Sequence, residues 1–267
     1  MDRRRSEECE HVAHATTDRG CFHYTDGDFA YAARHRLGLK PHALFPTNAC
    51  CGVRTALTSD HYQWCKKLRG SYVTDRHNTL RDTLMTLAHE AGCRAWAEPR
   101  VQPEARYAAS RRRLGIDDGK DVDLRVDLLI NGKLPDTRCM VDISIIHTAS
   151  PSYVKDGKKG RFAAEREKDK ERKYGDYASE CGFELVPFVL ESHGKLGAQA
   201  IALLHTLAEE SSKEEAIVNA FFRRALTACS FALQRGNAHI YSMGVLRQRN
   251  ARMRGKATLR QASLSLA

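Results

Sequence analysis

The chain has 267 residues, 42% hydrophobic and 28% charged, a balance that suits one sizeable domain with attachments or two small ones and excludes a wholly disordered chain. Lys and Arg number 43 against 33 Asp and Glu, a formal charge of +10, so the long-range field favours a polyanion, with nucleic acid the first candidate. No stretch reads as an apolar run long enough to span a bilayer, and the opening Met1-Asp2-Arg3-Arg4-Arg5 lacks the apolar core of a secretory signal, so the expectation is an intracellular protein with no membrane partner.

Residues 1–70 are rich in His, Cys and turn formers and poor in periodic apolar runs, the composition of a small module that needs a metal to hold it. Cys50, Cys51, His61 and Cys65 lie close together, and in a reducing compartment they read as metal ligands rather than as a disulfide framework. His61 and Cys65, one helical turn apart, make a half-site for zinc; the other half is Cys50 or Cys51 with a more distant ligand such as His42, because two adjacent thiolates sit awkwardly on one tetrahedral ion. A closed site of this kind is structural. Lys66, Lys67 and Arg69 follow directly and are placed to hold phosphates, while Tyr62 and Trp64 are expected to pack the module. The remaining cysteines Cys93, Cys139, Cys181 and Cys229 sit among apolar neighbours as small buried hydrophobes.

Residues 71–210 carry the main pattern. Thr74 or Asp75 can cap a helix whose apolar positions Leu80, Leu84, Leu87 and Ala91 recur at helical spacing, with Gly92 as its stop. A short strand runs from Cys93 to Glu98, and an irregular basic stretch containing Arg111-Arg112-Arg113, a second candidate phosphate contact, follows Pro99. Leu124–Ile130 and Cys139–Ile146 read as strands of a hairpin around Asn131-Gly132. A charged helix over 160–179 and the apolar strand Phe183–Leu190 complete the order helix, strand, strand, strand, helix, strand. In residues 211–267, Glu214–Leu233 has helical apolar spacing, and the basic tail Arg247–Arg260 is either frayed or directed at nucleic acid.

Asp127 and Asp142 lie on the two hairpin strands inside otherwise apolar runs. Carboxylates so placed are costly unless a cation binds them, and magnesium or manganese held between them suits phosphodiester hydrolysis. Each could instead end a strand at the surface or pair with an arginine such as Arg125. On the charged helix, Lys170, Tyr174 and Tyr177 share a face, so an ammonium and a phenol can point together at the strands, while Lys168 and Lys173 are expected in solvent. Glu90 or Glu98 could add a further carboxylate, Glu98 being preferred because it ends a strand of the same sheet.

These motifs resemble the PD-(D/E)xK restriction-like endonuclease domain of early-branching non-long-terminal-repeat retrotransposons. The resemblance rests on the order of elements, on Asp127, Asp142, and Lys170 one turn before Tyr174, and on Arg76-His77-Asn78, Glu98-Pro99, Val186-Pro187-Phe188-Val189 and Gly194-x-x-Gly197. Upstream, Phe29 through Leu39 and the Cys-Cys-His-Cys set resemble the linker and zinc knuckle that precede that domain. Three departures stand out: Val126 where the motif has Pro, Ser144 where the wider superfamily has Lys, and the adjacency of Cys50 and Cys51.

The resemblance implies an α/β (α+β) core with an N-terminal zinc-knuckle module and C-terminal helices, acting as a nuclear, magnesium-dependent endonuclease on DNA, with RNA as a further partner. Asp127 and Asp142 would be metal ligands, Lys170 the transition-state cation, and Tyr174 and Glu98 assisting groups. Three other readings stay open: a junction-resolving or homing-type nuclease on the same core, a binding protein that has lost catalysis, and an assembled structural protein using the late helices as an interface.

Overall fold

A computed structural model of the chain describes residues 24–37, 39, 59–65, 71–100, 126–134, 137–150, 153 and 161–264. The described elements are α1 (Asp26–Arg36), α2 (Ser59–Trp64), α3 (Ser71–Glu90), β1 (Arg94–Ala97), β2 (Leu128–Asn131), β3 (Arg138–Ile146), α4 (Phe162–Glu180), β4 (Glu184–Glu191), α5 (Ala198–Ser211) and α6 (Glu215–Leu264). The fold is mixed α/β: one four-stranded sheet in the order β1-β2-β3-β4, with helices packed on it.

The expected hairpin is present, with β2 antiparallel to both β1 and β3. The charged segment forms the crossover helix α4, which returns the chain so that β4 lies parallel to β3. Pro187 is tolerated because β4 is an edge strand.

The two faces of β3 divide by the period-2 alternation of a strand. Cys139, Val141 and Ile143 enter the main core with Leu80, Leu84 and Leu87 of α3, Phe188 of β4, Leu203, Leu204 and Leu207 of α5, and Phe221, Ala225, Cys229 and Leu233 of α6. The start of α6 is therefore part of the core under the sheet, while Ile201 of α5 and Ile217 and Leu246 of α6 stay exposed. The opposite face, with Met140, Asp142, Ser144 and Ile146, meets α4.

Cys93, Cys139 and Cys229 are buried as expected, and burial pushes their thiols up to about 11, 12 and 12. Cys181 is half-buried. Tyr62 is buried against Ile240 of α6, in keeping with a packing role.

Several expectations need correction. The first helix begins at Ser71, so Thr74 and Asp75 lie within it and neither is its cap; Gly92, at φ +84°, does follow its end. β2 begins at Leu128, which leaves Asp127 just ahead of the strand rather than inside it. The tail is not frayed: α6 continues as one helix of 50 residues to Leu264. Its segment Glu215–Arg247 is also long and apolar enough, by length and composition, to cross a bilayer, contrary to the expectation that no stretch qualifies; Arg223, Arg224 and Arg235 interrupt the run and hide it from inspection. That segment packs against α1, α3 and α5.

A candidate metal and phosphate site at the mouth of the hairpin

The site forms where β2 starts and separates from β3. The last register pair there is Leu128 with Val141, so Asp127 falls opposite the middle of β3. Its Oδ2 accepts the backbone N–H of Ile143 at 2.7 Å, in the place a strand partner would take. Asp127 is thereby fixed beside Asp142, the residue that precedes Ile143.

Asp142 faces α4. Lys170 Nζ donates to its Oδ1 at 2.9 Å and stands 2.7 Å from Oδ2, off the angle that a hydrogen bond to the second oxygen requires. The contact follows from two periodicities running in opposite directions. Met140 packs with Tyr177, Asp142 with Lys170, Ser144 with Arg166, and Ile146 with Ala163, so each two-residue step along β3 moves down α4 by three to seven residues. Two polar contacts thus sit between two apolar ones, which hold α4 against the sheet and keep the charges partly out of water.

The electrostatics follow from that placement. Burial raises the Asp142 carboxyl above its ordinary range; Lys170 opposes the shift, while the nearby charge of Asp127 adds to it. The pair is a partly buried, mutually repelling set of oxygen donors, one on β3 and one just ahead of β2, and such donors fit a hard divalent cation. Among the described residues, no group of three or more His, Cys, Asp or Glu side chains converges as a ready-made metal cage. The carboxylates are instead engaged by the Lys170 ammonium and the His77 imidazole.

One of those groups, His77, belongs to the Arg76-His77-Asn78 motif but has no role legible in the sequence alone. Its Nε2 lies 3.2 Å from Asp127 Oδ2, and the hydrogen bond to that carboxylate raises its pKa against the lowering effect of burial. The available signal was helical spacing, because His77 flanks the stripe of Arg76, Leu80, Leu84 and Leu87 that the core buries. Arg166 was missed as well. Its Nε approaches Ser144 Oγ at 3.4 Å, so a guanidinium from the helix reaches β3 two positions after Asp142, and its charge also favours ionised Asp142.

Tyr174 belongs to the site through Lys170, whose Nζ is 5.2 Å from the phenol ring centroid. Tyr177 is instead buried against Met140. Lys168 and Lys173 are exposed, as expected. The two candidate glutamates turn elsewhere. Glu90 ion-pairs with Arg224 of α6. Glu98 donates its backbone N–H to Asp127 O at 3.0 Å, but at φ +47° the chain turns there and the exposed carboxylate pairs with Arg81.

α4 is also held by Glu167, buried and one turn before Lys170. Its Oε1 accepts the N–H of Gln199 at 3.1 Å, in the first turn of α5, a helix whose N-cap Gly197 has no side chain to do so.

Of the expected zinc ligands, His61 and Cys65 fall among the described residues. His61 and Cys65 are both buried, and Cys65 N donates to His61 O at 3.0 Å, so they occupy successive turns. Cys50, Cys51 and His42 lie outside the described residues, as do Lys66, Lys67, Arg69 and Arg111-Arg112-Arg113. Between the half-site and the carboxylates runs a buried polar network. Arg76 Nη1 donates at 2.6 Å to both Gln63 Oε1 and Asn237 Oδ1, Gln63 Nε2 donates to Tyr31 OH at 2.9 Å, and Asn237 Nδ2 donates to Ser192 O at 2.8 Å. Burial lowers the Arg76 guanidinium to about 10, which leaves it charged at neutral pH.

No protein-family model matches this sequence, and a search of curated proteins finds no relative.

Proposed function

We propose that the protein is a metal-dependent DNA endonuclease built on a PD-(D/E)xK core and derived from a retrotransposon. The observation that carries this reading is the meeting of Asp127 and Asp142 at the open end of the hairpin, with Lys170 delivered to Asp142 from the crossover helix. Asp127 and Asp142 would hold magnesium or manganese. When bound, such an ion acidifies water and neutralises charge on a phosphodiester.

The chain's own groups supply the rest. The Lys170 ammonium, released from part of its contact with Asp142, is placed to stabilise charge that develops on the phosphoryl oxygens, and Arg166 adds a second cation beside it. The Tyr174 ring limits where the ammonium can go. His77 and the Ile143 N–H both hold Asp127 Oδ2 and so orient the carboxylate together. Glu98 enters only if its carboxylate exchanges Arg81 for the site. Single-strand nicking of target DNA, which exposes an end for reverse transcription, is the reaction this architecture suits in its retrotransposon setting.

His61 and Cys65 are proposed as half of a structural zinc site that steadies α2 beside the nuclease, in a protein acting in the nucleus on DNA and in contact with RNA.

One observation favours a second reading. Lys170 and His77 already engage the two carboxylates, and Glu98 is committed to Arg81, an arrangement that would also serve a DNA-binding protein without catalysis. Nicking of supercoiled DNA by the purified chain in magnesium or manganese separates the two. Metal-dependent nicking abolished by both Asp142→Ala and Lys170→Ala supports the nuclease. Binding without cutting in either metal leaves the binding protein.

A further inference from the structure

The excess positive charge is not spread over the molecule. Residues 216–267 hold nine of the 43 Lys and Arg and none of the 33 Asp and Glu, so the preceding 215 residues are close to neutral and almost the whole +10 resides in α6 and the few residues after it.

Within α6 the charge has two settings. Along Glu215–Arg247 the helix is packed into the molecule: Phe221, Ala225, Cys229 and Leu233 enter the main core, Ile240 joins Tyr62 and Cys65, and Arg224 is neutralised by Glu90. At Arg247 the guanidinium lies 4.9 Å from the ring centroid of Tyr72, in the first turn of α3. The helix then continues to Leu264 with Arg249, Arg252, Arg254, Lys256 and Arg260 along it. At 1.5 Å per residue, the stretch from Arg247 to Leu264 is about 26 Å long. Arg249, Arg252, Lys256 and Arg260 recur at three- and four-residue intervals, the spacing of one helical stripe.

We infer that this last part of α6 is an arm that binds the phosphate backbone of duplex DNA next to the carboxylate site, an inference that rests on the nuclease reading for its location but not for its chemistry. Three arguments favour this occupant. A duplex carries about one negative charge per 1.7 Å of axis, so a helix with a cation every three or four residues meets complementary charge along its whole length. The arm is poor in large apolar residues, with Met253, Leu259 and Leu264 its principal ones and no aromatic, whereas helices that lie in a bilayer surface bury a broad apolar face. Its root is at Tyr72, five residues before His77 in α3 and about 7.5 Å from it along the helix axis, so the arm and the site are anchored to the same helix.

The test is equilibrium binding of the full chain to a fluorescein-labelled 30-base-pair duplex in EDTA over about 50 to 300 mM KCl. The native chain is compared with Arg249→Gln/Arg252→Gln/Lys256→Gln/Arg260→Gln, and with Arg249→Lys/Arg252→Lys/Arg260→Lys. The arm predicts that the glutamine variant binds at least about tenfold more weakly near physiological salt and that the slope of log K against log salt falls by about three to four, while the lysine variant keeps the native slope. An unchanged slope in the glutamine variant overturns the inference, as does an equal loss in the lysine variant, which would report damage to the helix rather than lost charge. Retention of the native protein on vesicles of phosphatidylserine and phosphatidylcholine, lost in the glutamine variant while duplex binding is untouched, would overturn it in favour of a membrane surface. Plasmid nicking in low salt with magnesium distinguishes the two claims. Native nicking with an unaltered slope removes the arm and keeps the nuclease; no nicking with a reduced slope does the reverse.

Discussion

Arg76 and His77 are consecutive residues of α3 whose side chains belong to different halves of the protein: Arg76 joins Gln63 of α2 to Asn237 of α6, and His77 joins Asp127 at the mouth of the hairpin. One turn of helix therefore ties the cysteine- and histidine-bearing module to the carboxylates. The Arg76 charge is buried, and both acceptors of its Nη1 are neutral amide oxygens, an arrangement that holds only while both are in place.

Removing one of those acceptors should be costly. Asn237→Ala takes an acceptor from a buried guanidinium and leaves Ser192 O without its donor, so unfolding free energy is expected to fall by about 2–4 kcal/mol. Urea denaturation followed by circular dichroism measures this, and a loss under about 1 kcal/mol would show that Gln63 alone satisfies Arg76.

The His77–Asp127 pair predicts a pH dependence of defined sign. The folded pKa of His77 is raised, chiefly by its hydrogen bond to Asp127, so the folded state holds the proton more tightly than the unfolded chain does. The resulting stability is fully present below the unfolded histidine value of about 6.5 and is lost as pH rises through the raised folded value. In metal-free buffer, the stability gap between the native protein and His77→Gln should shrink from pH 5.5 to pH 9. A gap that widens with pH would contradict the pair.

Lys170 and Asp142 should show strong coupling. Their side chains are 13% and 17% exposed, so breaking the pair leaves a poorly solvated charge, and Lys170→Met alone is expected to cost about 1–3 kcal/mol. Removing both charges in Lys170→Met/Asp142→Asn should restore most of that loss. Additive single losses in a thermal double-mutant cycle would mean that the two groups act independently.

Two helical glycines should respond to alanine with opposite signs. A Cβ at Gly175 in α4 meets nothing within 4 Å, so Gly175→Ala should gain about 0.5–1 kcal/mol from helix propensity. At Gly236 in α6 the same atom would lie 2.7 Å from Arg76 Cβ, and overpacking should outweigh propensity and destabilise by about 1–3 kcal/mol. Melting temperatures of the two variants decide the point.

The elements of the sheet were legible because their signals are local. The hairpin shows itself in Asn131-Gly132, and the end of α3 in Gly92. Proximity of Asp127 to Asp142 follows once strand register is assumed, and the contact of Lys170 with Asp142 follows from reading α4 by helical spacing. What escaped depends on distant partners. Nothing near Glu98 indicates that Arg81 takes its carboxylate, since the two meet only because the chain turns after β1. His77 gains its role from Asp127, 50 positions later. The continuity of α6 was obscured because Gly236, Gly244, Gly255 and a run of like charges all resemble a helix end, whereas packing of its first half against α1, α3 and α5 outweighs those weak local preferences.

The hold of Glu167 on Gln199 gives α4 a rotational reference. Lys170 follows Glu167 by three residues, about 300° of helical turn, so the azimuth of its ammonium is set by counting from that anchor and not from where the helix begins. A residue inserted ahead of Arg161 leaves the count unchanged. One inserted between Glu167 and Lys170 swings the ammonium by about 100° and carries it away from Asp142, so in this fold the tolerance of the candidate site to changes in chain length differs sharply across a few positions.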